Sequence, residues 1–252
     1  MDALRTLLSC IDLTTLEGSD NNGKIIELCH KALSFGESGL PLPAAVCVYP
    51  PFVKLAKVQL NGSGIRVASV AGAFPSGQSP LSVRLEEVRY AVNEGADEID
   101  MVISRGRLLE GDDQYVFDEI AAIREVCKEV HLKVILETGE LRTPSLIRKA
   151  SVIAIAAGAD FIKTSTGKIQ PAATEEAMAV MLEVIREEHT KSGKKIGIKP
   201  AGGISEPGQA LNYYHLTGQI LGPEWLNKNL LRIGASRLAD ALAKEILSSP
   251  AG

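Results

Sequence analysis

The sequence predicts an α/β chain folded as a (β/α)8 TIM barrel, in one domain spanning residues 1–252. Two observations predict it. Short β-rich runs alternate with longer amphipathic stretches eight times without a linker, which implies a parallel sheet and, at eight units, a closed barrel. A unit of helix, Gly-Ala-Asp and strand also occurs twice, at Gly95-Ala96-Asp97 and Gly158-Ala159-Asp160, a weak internal repeat of the αβ kind. A doubly wound open sheet is the alternative architecture.

Residues 2–9 read as a short helix and Cys10 to Thr14 as the first strand, with Asp12 among apolar neighbours. Asp20 is placed to cap a helix running to about Leu33. Ala44 to Tyr49 is the second strand, stopped by Pro50-Pro51, and a helix follows to about Leu60. Ile65 to Val70 is the third strand. Ser79-Pro80, a cap residue and then proline at the first helical position, opens a helix that Gly95 closes. Glu98 to Val102 is the fourth strand, with Asp100 on the face opposite Ile99 and Met101. A helix spans about Tyr115 to Glu129. Leu132 to Thr138 is the fifth strand, placing Lys133, Ile135 and Glu137 on one face.

Thr143-Pro144 repeats the cap-and-proline device before a helix ending at Gly158. Asp160 to Lys163 is the sixth strand, and Thr174 caps a helix to about His189. Ile196 to Lys199 is the seventh strand, where Gly197 shares a face with Lys199 and leaves it room. A helix runs from about Pro207 to Leu216, and residues 217–230 carry no readable pattern. Leu231 to Ala235 is the eighth strand. Ser236 caps a last helix with Leu238, Leu242 and Ile246 on one stripe.

Composition narrows the function. The 252 residues are 45% hydrophobic and 23% charged, an ordinary globular balance. A net charge of −4 and only 4% aromatic residues argue against a nucleic-acid partner. No apolar run approaches membrane length, and the N-terminus lacks a signal-peptide layout, so no membrane partner is expected. Cys10, Cys29, Cys47 and Cys127 form no CxxC pair, which fits a reducing, cytoplasmic setting. The four histidines are scattered, so neither a metal site nor a cofactor is expected.

The active site of such a barrel lies at the C-terminal ends of its strands. Asp12, Asp100, Lys133, Glu137, Lys163 and Lys199 are the polar residues there. One reading is a structural ion network, since buried charges are costly unless paired. The other assigns roles. The like charge of Lys199, together with desolvation, lowers the pKa of Lys163, leaving a neutral amine able to form a Schiff base. Asp100 shuttles protons, and Lys133 holds Asp100 ionised. Phosphate recognition fits Thr166-Gly167-Lys168, Gly202-Gly203 and Gly234-Ala235-Ser236, three loops on successive strands. Cys47 is expected to point inward, because Val46 and Val48 take the other face; it is either a packed cysteine or a thiol exposed to aldehydes.

The stretches LTTL at 13–16, VYPPF at 48–52, GADEIDMVI at 95–103, LKVILETGEL at 132–141, DFIKTSTGK at 160–168, GIKPAGGI at 197–204 and RIGAS at 232–236 resemble the 2-deoxyribose-5-phosphate aldolase family. The resemblance covers nearly the whole chain, in order and at matching spacing. It implies a metal-free class I aldolase that reversibly cleaves 2-deoxy-D-ribose 5-phosphate to D-glyceraldehyde 3-phosphate and acetaldehyde, in deoxynucleoside catabolism. It implies Lys163 as the Schiff-base lysine, Lys199 as the lysine perturbing it and Asp100 as the proton-transfer group. Lys168, Gly167, Gly202, Gly203 and Ser236 fall on its phosphate loops. Thr166, Gly234, Asp12 and Cys47 complete the substrate-side candidates. The expected partner is a small-molecule sugar phosphate, with a homodimer open as the assembly.

The chain departs from the family pattern in three places. Ser205 stands where many members carry arginine, and Arg237 stands where many carry serine or threonine. The cation of one phosphate loop is thus expected on its neighbour, the plainer alternative being a solvent-facing Arg237. The sequence ends in Pro250-Ala251-Gly252 without the terminal tyrosine that aids proton transfer in some members, so enamine protonation is expected to rely on Asp100 and water. Ser104-Arg105-Gly106-Arg107 receives no role. Two other functions compete: another Schiff-base aldolase, transaldolase-like or acting on a keto-sugar phosphate, and a barrel that senses a sugar phosphate without catalysis.

Overall fold

The computed structural model describes residues 2–248, so the tail Pro250-Ala251-Gly252 lies outside the described residues. Eight parallel strands run in sequence order around a ring: β1 (Ile11–Thr14), β2 (Ala45–Val48), β3 (Arg66–Ala71), β4 (Glu98–Val102), β5 (His131–Ile135), β6 (Phe161–Lys163), β7 (Gly197–Lys199) and β8 (Ile233–Ala235). β1 pairs with both β2 and β8. Bridges between Ile198 and Leu231 and between Ala201 and Gly234 join β7 to β8, and the Arg232 N–H donates to the Ile198 carbonyl at 3.0 Å. The ring therefore closes into the expected (β/α)8 barrel.

The helices are α1 (Asp2–Ser9), α2 (Asn22–Glu37), α3 (Val53–Gln59), α4 (Leu81–Asn93), α5 (Arg105–Leu109), α6 (Asp113–Cys127), α7 (Thr138–Leu141), α8 (Pro144–Ala156), α9 (Glu175–Ser192), α10 (Pro207–Leu221) and α11 (Leu238–Ser248). Among the described residues no helix is long and apolar enough to cross a membrane.

Strand alternation sorts side chains into two layers. Ile11, Val46, Ile99, Met101, Val134, Ile162 and Ile198 face outward, in one cluster with helix residues such as Met178, Met181 and Ile185. Each such fully buried side chain contributes roughly 1.5–3 kcal/mol. Inside the ring, Ala45, Cys47, Ala68, Val70, Val102 and Ile135 make a smaller apolar cluster with Leu16 and Phe74. Apart from Phe161 and small residues such as Gly197 and Gly234, the rest of the interior is charged.

Two caps form as the sequence predicts: Thr143 accepts from Leu146 N–H and Thr174 from Ala177 N–H. The buried stripe of Leu238, Leu242 and Ile246 also forms. Other boundaries differ, for local reasons. Asn21, not Asp20, caps α2, because the Asp20 carboxylate is taken by the Thr15 hydroxyl, the Glu17 N–H and Lys24. Pro80 itself sits at the cap of α4 with extended ψ 140° and no side-chain cap bond, so Ser79 does not cap. At α11 the Arg237 carbonyl accepts the first helical bonds from Asp240 and Ala241, one residue later than a Ser236 cap requires. The Asp112 carboxylate caps α6 and starts it before Tyr115. The unread segment 217–230 holds the end of α10 and a 3-10 turn at Pro223–Trp225. β5 stops at Ile135, two residues short of Glu137, which takes left-handed backbone at φ 58°, ψ 59°.

Candidate active site

Strand register brings four cations and three carboxylates together, all fully or almost fully buried inside the barrel: Lys133, Lys163, Lys199 and Arg232 against Asp12, Glu98 and Asp100. Lys133 sits opposite Asp100 in the β4–β5 ladder, and Lys163 sits opposite Lys199 in the β6–β7 ladder. Asp100 is the hub: its Oδ1 accepts from Lys133 at 2.8 Å, and its Oδ2 accepts from both Lys163 at 2.8 Å and Lys199 at 2.7 Å. Lys199 also reaches Asp12 at 2.5 Å, and Lys133 reaches Glu98 at 2.5 Å. Arg232 closes the floor, donating to Asp12 at 2.6 Å and to both oxygens of Glu98 at 2.6 and 3.0 Å. Half-exposed Arg66 meets Glu98 at 3.0 Å from the opposite rim.

Glu98 and Arg232 are not among the candidates read from the sequence. The count that turned Asp100 inward also turns Glu98 inward, two residues earlier, and Arg232 likewise precedes Gly234. Gly197 departs from expectation in another way. A methyl there would lie 2.2 Å from the Phe161 ring, its direct partner on β6, so Phe161 fills the space foreseen for Lys199. Room for Lys199 comes instead from Gly234, where a methyl would meet Lys199 Cε at 3.3 Å.

These contacts settle the charges. Burial opposes ionisation of Asp100, but Lys133, Lys163 and Lys199 outweigh it and hold the carboxyl well below its ordinary range. Asp12 is depressed in the same way by Lys199, Lys133 and Arg232, and Glu98 falls to about 2 under Lys133 and Arg232. For Lys199 and Lys133 the neighbouring carboxylates overcome burial and raise the pKa. Lys163 goes the other way: burial lowers it, Asp100 and, less strongly, Cys47 resist, and Lys199 adds to the fall. Burial is thus the larger cause, ahead of the like charge.

Lys163, only 3 % exposed, is also the one member of this network that lines the cleft above it. The cleft holds about 460 Å³ at the C-terminal ends of the strands. Its walls include Thr166, Gly167, Lys168, Gly202, Gly203, Gly234, Ser236 and Arg237, all of them substrate-side candidates from the sequence. Gly202 and Gly167 touch: a methyl on Gly202, whose φ is +87°, would lie 2.9 Å from Gly167 Cα and 2.6 Å from Ala172 Cβ. Only glycine lets the two loops meet. Ser205 and Arg237 face the same cleft from neighbouring loops. So does Lys24, which sequence reasoning had no signal to find in the exposed first turn of α2. Lys168 pairs with Glu17 at 3.0 Å across the mouth.

Asp12 and Cys47 are brought near the site but beneath it. Asp12 belongs to the floor, and Cys47 is inward and fully buried, its thiol pKa raised by burial and by Asp100. Glu137 does not join the floor at all. Its left-handed backbone, costing on the order of 1 kcal/mol for a non-glycine residue, turns the carboxylate toward Thr166, whose hydroxyl donates to it at 2.5 Å. Among the described residues no group of three or more His, Cys, Asp or Glu side chains is arranged to hold a metal ion.

A buried amine of lowered basicity, opening onto a glycine-walled cleft at the C-terminal ends of the strands, is a layout that suits a barrel enzyme. Residues 6–211 match the DeoC/LacD family aldolase profile, and the chain belongs to this family of aldolases. Human deoxyribose-phosphate aldolase is 48% identical over 249 residues, covering 94% of this chain and 78% of the human one. A Caenorhabditis elegans protein described as a putative deoxyribose-phosphate aldolase is 45% identical over 252 residues, covering 96% of this chain and 81% of its own. Among solved structures, a putative deoxyribose-phosphate aldolase from Coccidioides immitis superposes with a TM-score of 0.82 at 30% identity, over 97% of this chain and 87% of that one.

Proposed function

We propose that this aldolase cleaves 2-deoxy-D-ribose 5-phosphate to D-glyceraldehyde 3-phosphate and acetaldehyde through a Schiff base on Lys163. The observation that carries the reading is that Lys163, alone in the buried network, both opens onto the cleft and has its basicity lowered. The neutral amine attacks the aldehyde carbon of the open sugar, and loss of water gives an iminium. Asp100, acting through a water molecule, takes the C3 hydroxyl proton as the C2–C3 bond breaks, and that electron pair flows to the nitrogen as an enamine. The enamine carbon then takes a proton, and hydrolysis frees acetaldehyde and the lysine. Lys133, bonded to the far oxygen of Asp100, fixes the carboxylate. Lys199 holds its near oxygen and disfavours an ammonium at Lys163.

The phosphate sits against Gly167, Lys168, Gly202, Gly203 and Ser236, with Arg237 and Lys24 as added cations on the same wall. A cleft of about 460 Å³ is in the range of small-ligand sites. Four free, buried cysteines suit a reducing, cytoplasmic setting. The test is borohydride reduction in the presence of acetaldehyde, followed by peptide mapping. An ethyl group on Lys163 is expected; reduction at another lysine, or at none, refutes the reading. Product analysis completes it, because a ketone product in place of acetaldehyde would assign a different aldolase.

A further inference from the structure

The corner between β5 and α7 holds a buried carboxylate that the proposed chemistry does not use. Glu137 is 1 % exposed and keeps a left-handed backbone that a carboxylate side chain does not favour. It does not line the cleft, so it is not placed to touch substrate. Its side chain grips the neighbouring loop instead. The Thr166 N–H donates to both oxygens at 3.2 and 3.3 Å, and the Thr166 hydroxyl donates to one of them at 2.5 Å. That hydroxyl oxygen in turn accepts the Lys168 N–H at 3.1 Å. Behind Glu137, the Arg105 guanidinium stands 3.5 Å from the carboxylate and is itself held by Glu140 at 2.5 Å and by the Pro75 carbonyl. The backbone is joined to the same loop, with Thr138 N–H on the Thr164 carbonyl at 2.9 Å.

We infer that Glu137 is a positioning residue for phosphate binding: through Thr166 it fixes Thr166-Gly167-Lys168 in the shape that receives the substrate's phosphate. The inference rests on the phosphate reading of that loop given above. A strained residue that survives in a packed corner marks a constraint imposed from elsewhere, and the constraint here is the bond to Thr166. Without it, a three-residue turn of threonine, glycine and lysine has no partner on this side and samples other shapes. Burial raises the Glu137 carboxyl pKa, and the Thr166 bonds and Arg105 pull against that rise.

The test compares Glu137→Ala and Glu137→Gln with the unaltered enzyme, on 2-deoxyribose 5-phosphate and on unphosphorylated 2-deoxyribose. Loss of a charge-assisted bond that orders the loop is expected to raise KM for the phosphorylated sugar about tenfold in Glu137→Ala, with kcat within about twofold. Turnover of the unphosphorylated sugar and acetaldehyde trapping on Lys163 stay within about twofold. Glu137→Gln, which keeps an acceptor for the Thr166 N–H, recovers part of the loss. In a Lys168→Met background the Glu137→Ala effect shrinks, because both act on one loop. An equal fall for both sugars, or an unchanged KM, overturns the inference. If Glu137→Ala does not fold, Glu137→Gln carries the same comparison, and an unchanged preference between the two sugars overturns it. Should the unaltered enzyme turn over neither sugar, the parent reading fails. Calorimetric binding of inorganic phosphate then tests Glu137 directly, with weaker binding in the variants expected and equal binding overturning it.

Discussion

Lys163 and Lys199 are opposite each other on adjacent strands, bond one carboxylate oxygen, and yet shift in opposite directions. The difference lies in their second partners. Lys199 also has Asp12 at 2.5 Å, whereas Lys163 has only Asp100. Replacing Lys199 with Met removes a like charge and leaves Asp100 more fully to Lys163, so the Lys163 pKa rises toward its ordinary value. Because the neutral amine reacts, adduct formation with acetaldehyde increases with pH through that pKa. The rising limb is therefore expected to move to higher pH in Lys199→Met, by about one unit (1.4 kcal/mol) or more. A limb that stays in place, measured by trapping rate against pH, removes Lys199 from the account. At the cleft rim, Arg237→Ser is expected to raise KM for the phosphorylated sugar severalfold while sparing the unphosphorylated one. Ser205→Arg in that background should restore it, since both positions face the same cleft. Failure of the second change to rescue would mean the two loops are not interchangeable carriers of the charge. Lys163, Asp100 and Lys133 were legible because period-two alternation places them before any contact is known. Glu137 was misread because the apolar run continues past the strand end, and a reversal of φ at one residue leaves no compositional mark.

At the scale of elements, legibility depended on what else each side chain could bond or meet. Thr143-Pro144 and Thr174 read correctly because each hydroxyl accepts the N–H three residues on, and the second partner of Thr143, the Ser145 hydroxyl at 3.2 Å, lies within the same turn. Asp20 and Ser79 are equally good cap residues by type, but Asp20 is drawn off by its neighbours Thr15, Glu17 and Lys24, and one proline torsion moved the start of α4. Thr174→Ala should destabilise the protein by about 1 kcal/mol, seen as a lower urea midpoint with unchanged slope. Gly197→Ala is a harsher change: its methyl would meet the Phe161 ring at 2.2 Å, backed by the Arg232 guanidinium 5.7 Å from the ring centre. Overpacking of this kind should cost roughly 1–3 kcal/mol. Adduct formation at Lys163 should also slow, because Phe161 and Lys163 share one short strand. A variant as stable as the parent would show that the ring has room to move. The glycine was noticed in the sequence, but which side chain needed the space depended on the cross-strand register.

For the molecule as a whole, the eight-unit alternation was the strongest signal and the barrel formed as it implied. The interior charge network sets how stability responds to acid. Asp12, Glu98 and Asp100 all have folded pKa values below their unfolded ones, Glu98 at about 2. Their contribution is therefore fully present above the unfolded range near 4 and is lost as pH falls through the folded values. Urea midpoints are expected to hold from neutral pH down to about 5 and to fall steeply between about 4 and 2, and added salt should leave the loss in place because buried pairs are poorly screened. A gradual decline beginning near pH 6 would point to other groups.

The same network bears on the direction of the proposed reaction. With Lys163 uncharged, the buried charges of the barrel floor are matched, Lys133, Lys199 and Arg232 against Asp12, Glu98 and Asp100. Formation of the iminium adds a permanent positive charge and tips the barrel floor into surplus. Breaking the carbon–carbon bond discharges that nitrogen but passes the hydroxyl proton to Asp100, so the surplus persists until hydrolysis frees acetaldehyde, returns a neutral amine and gives the proton to solvent; the protein's own ionic balance favours that final release.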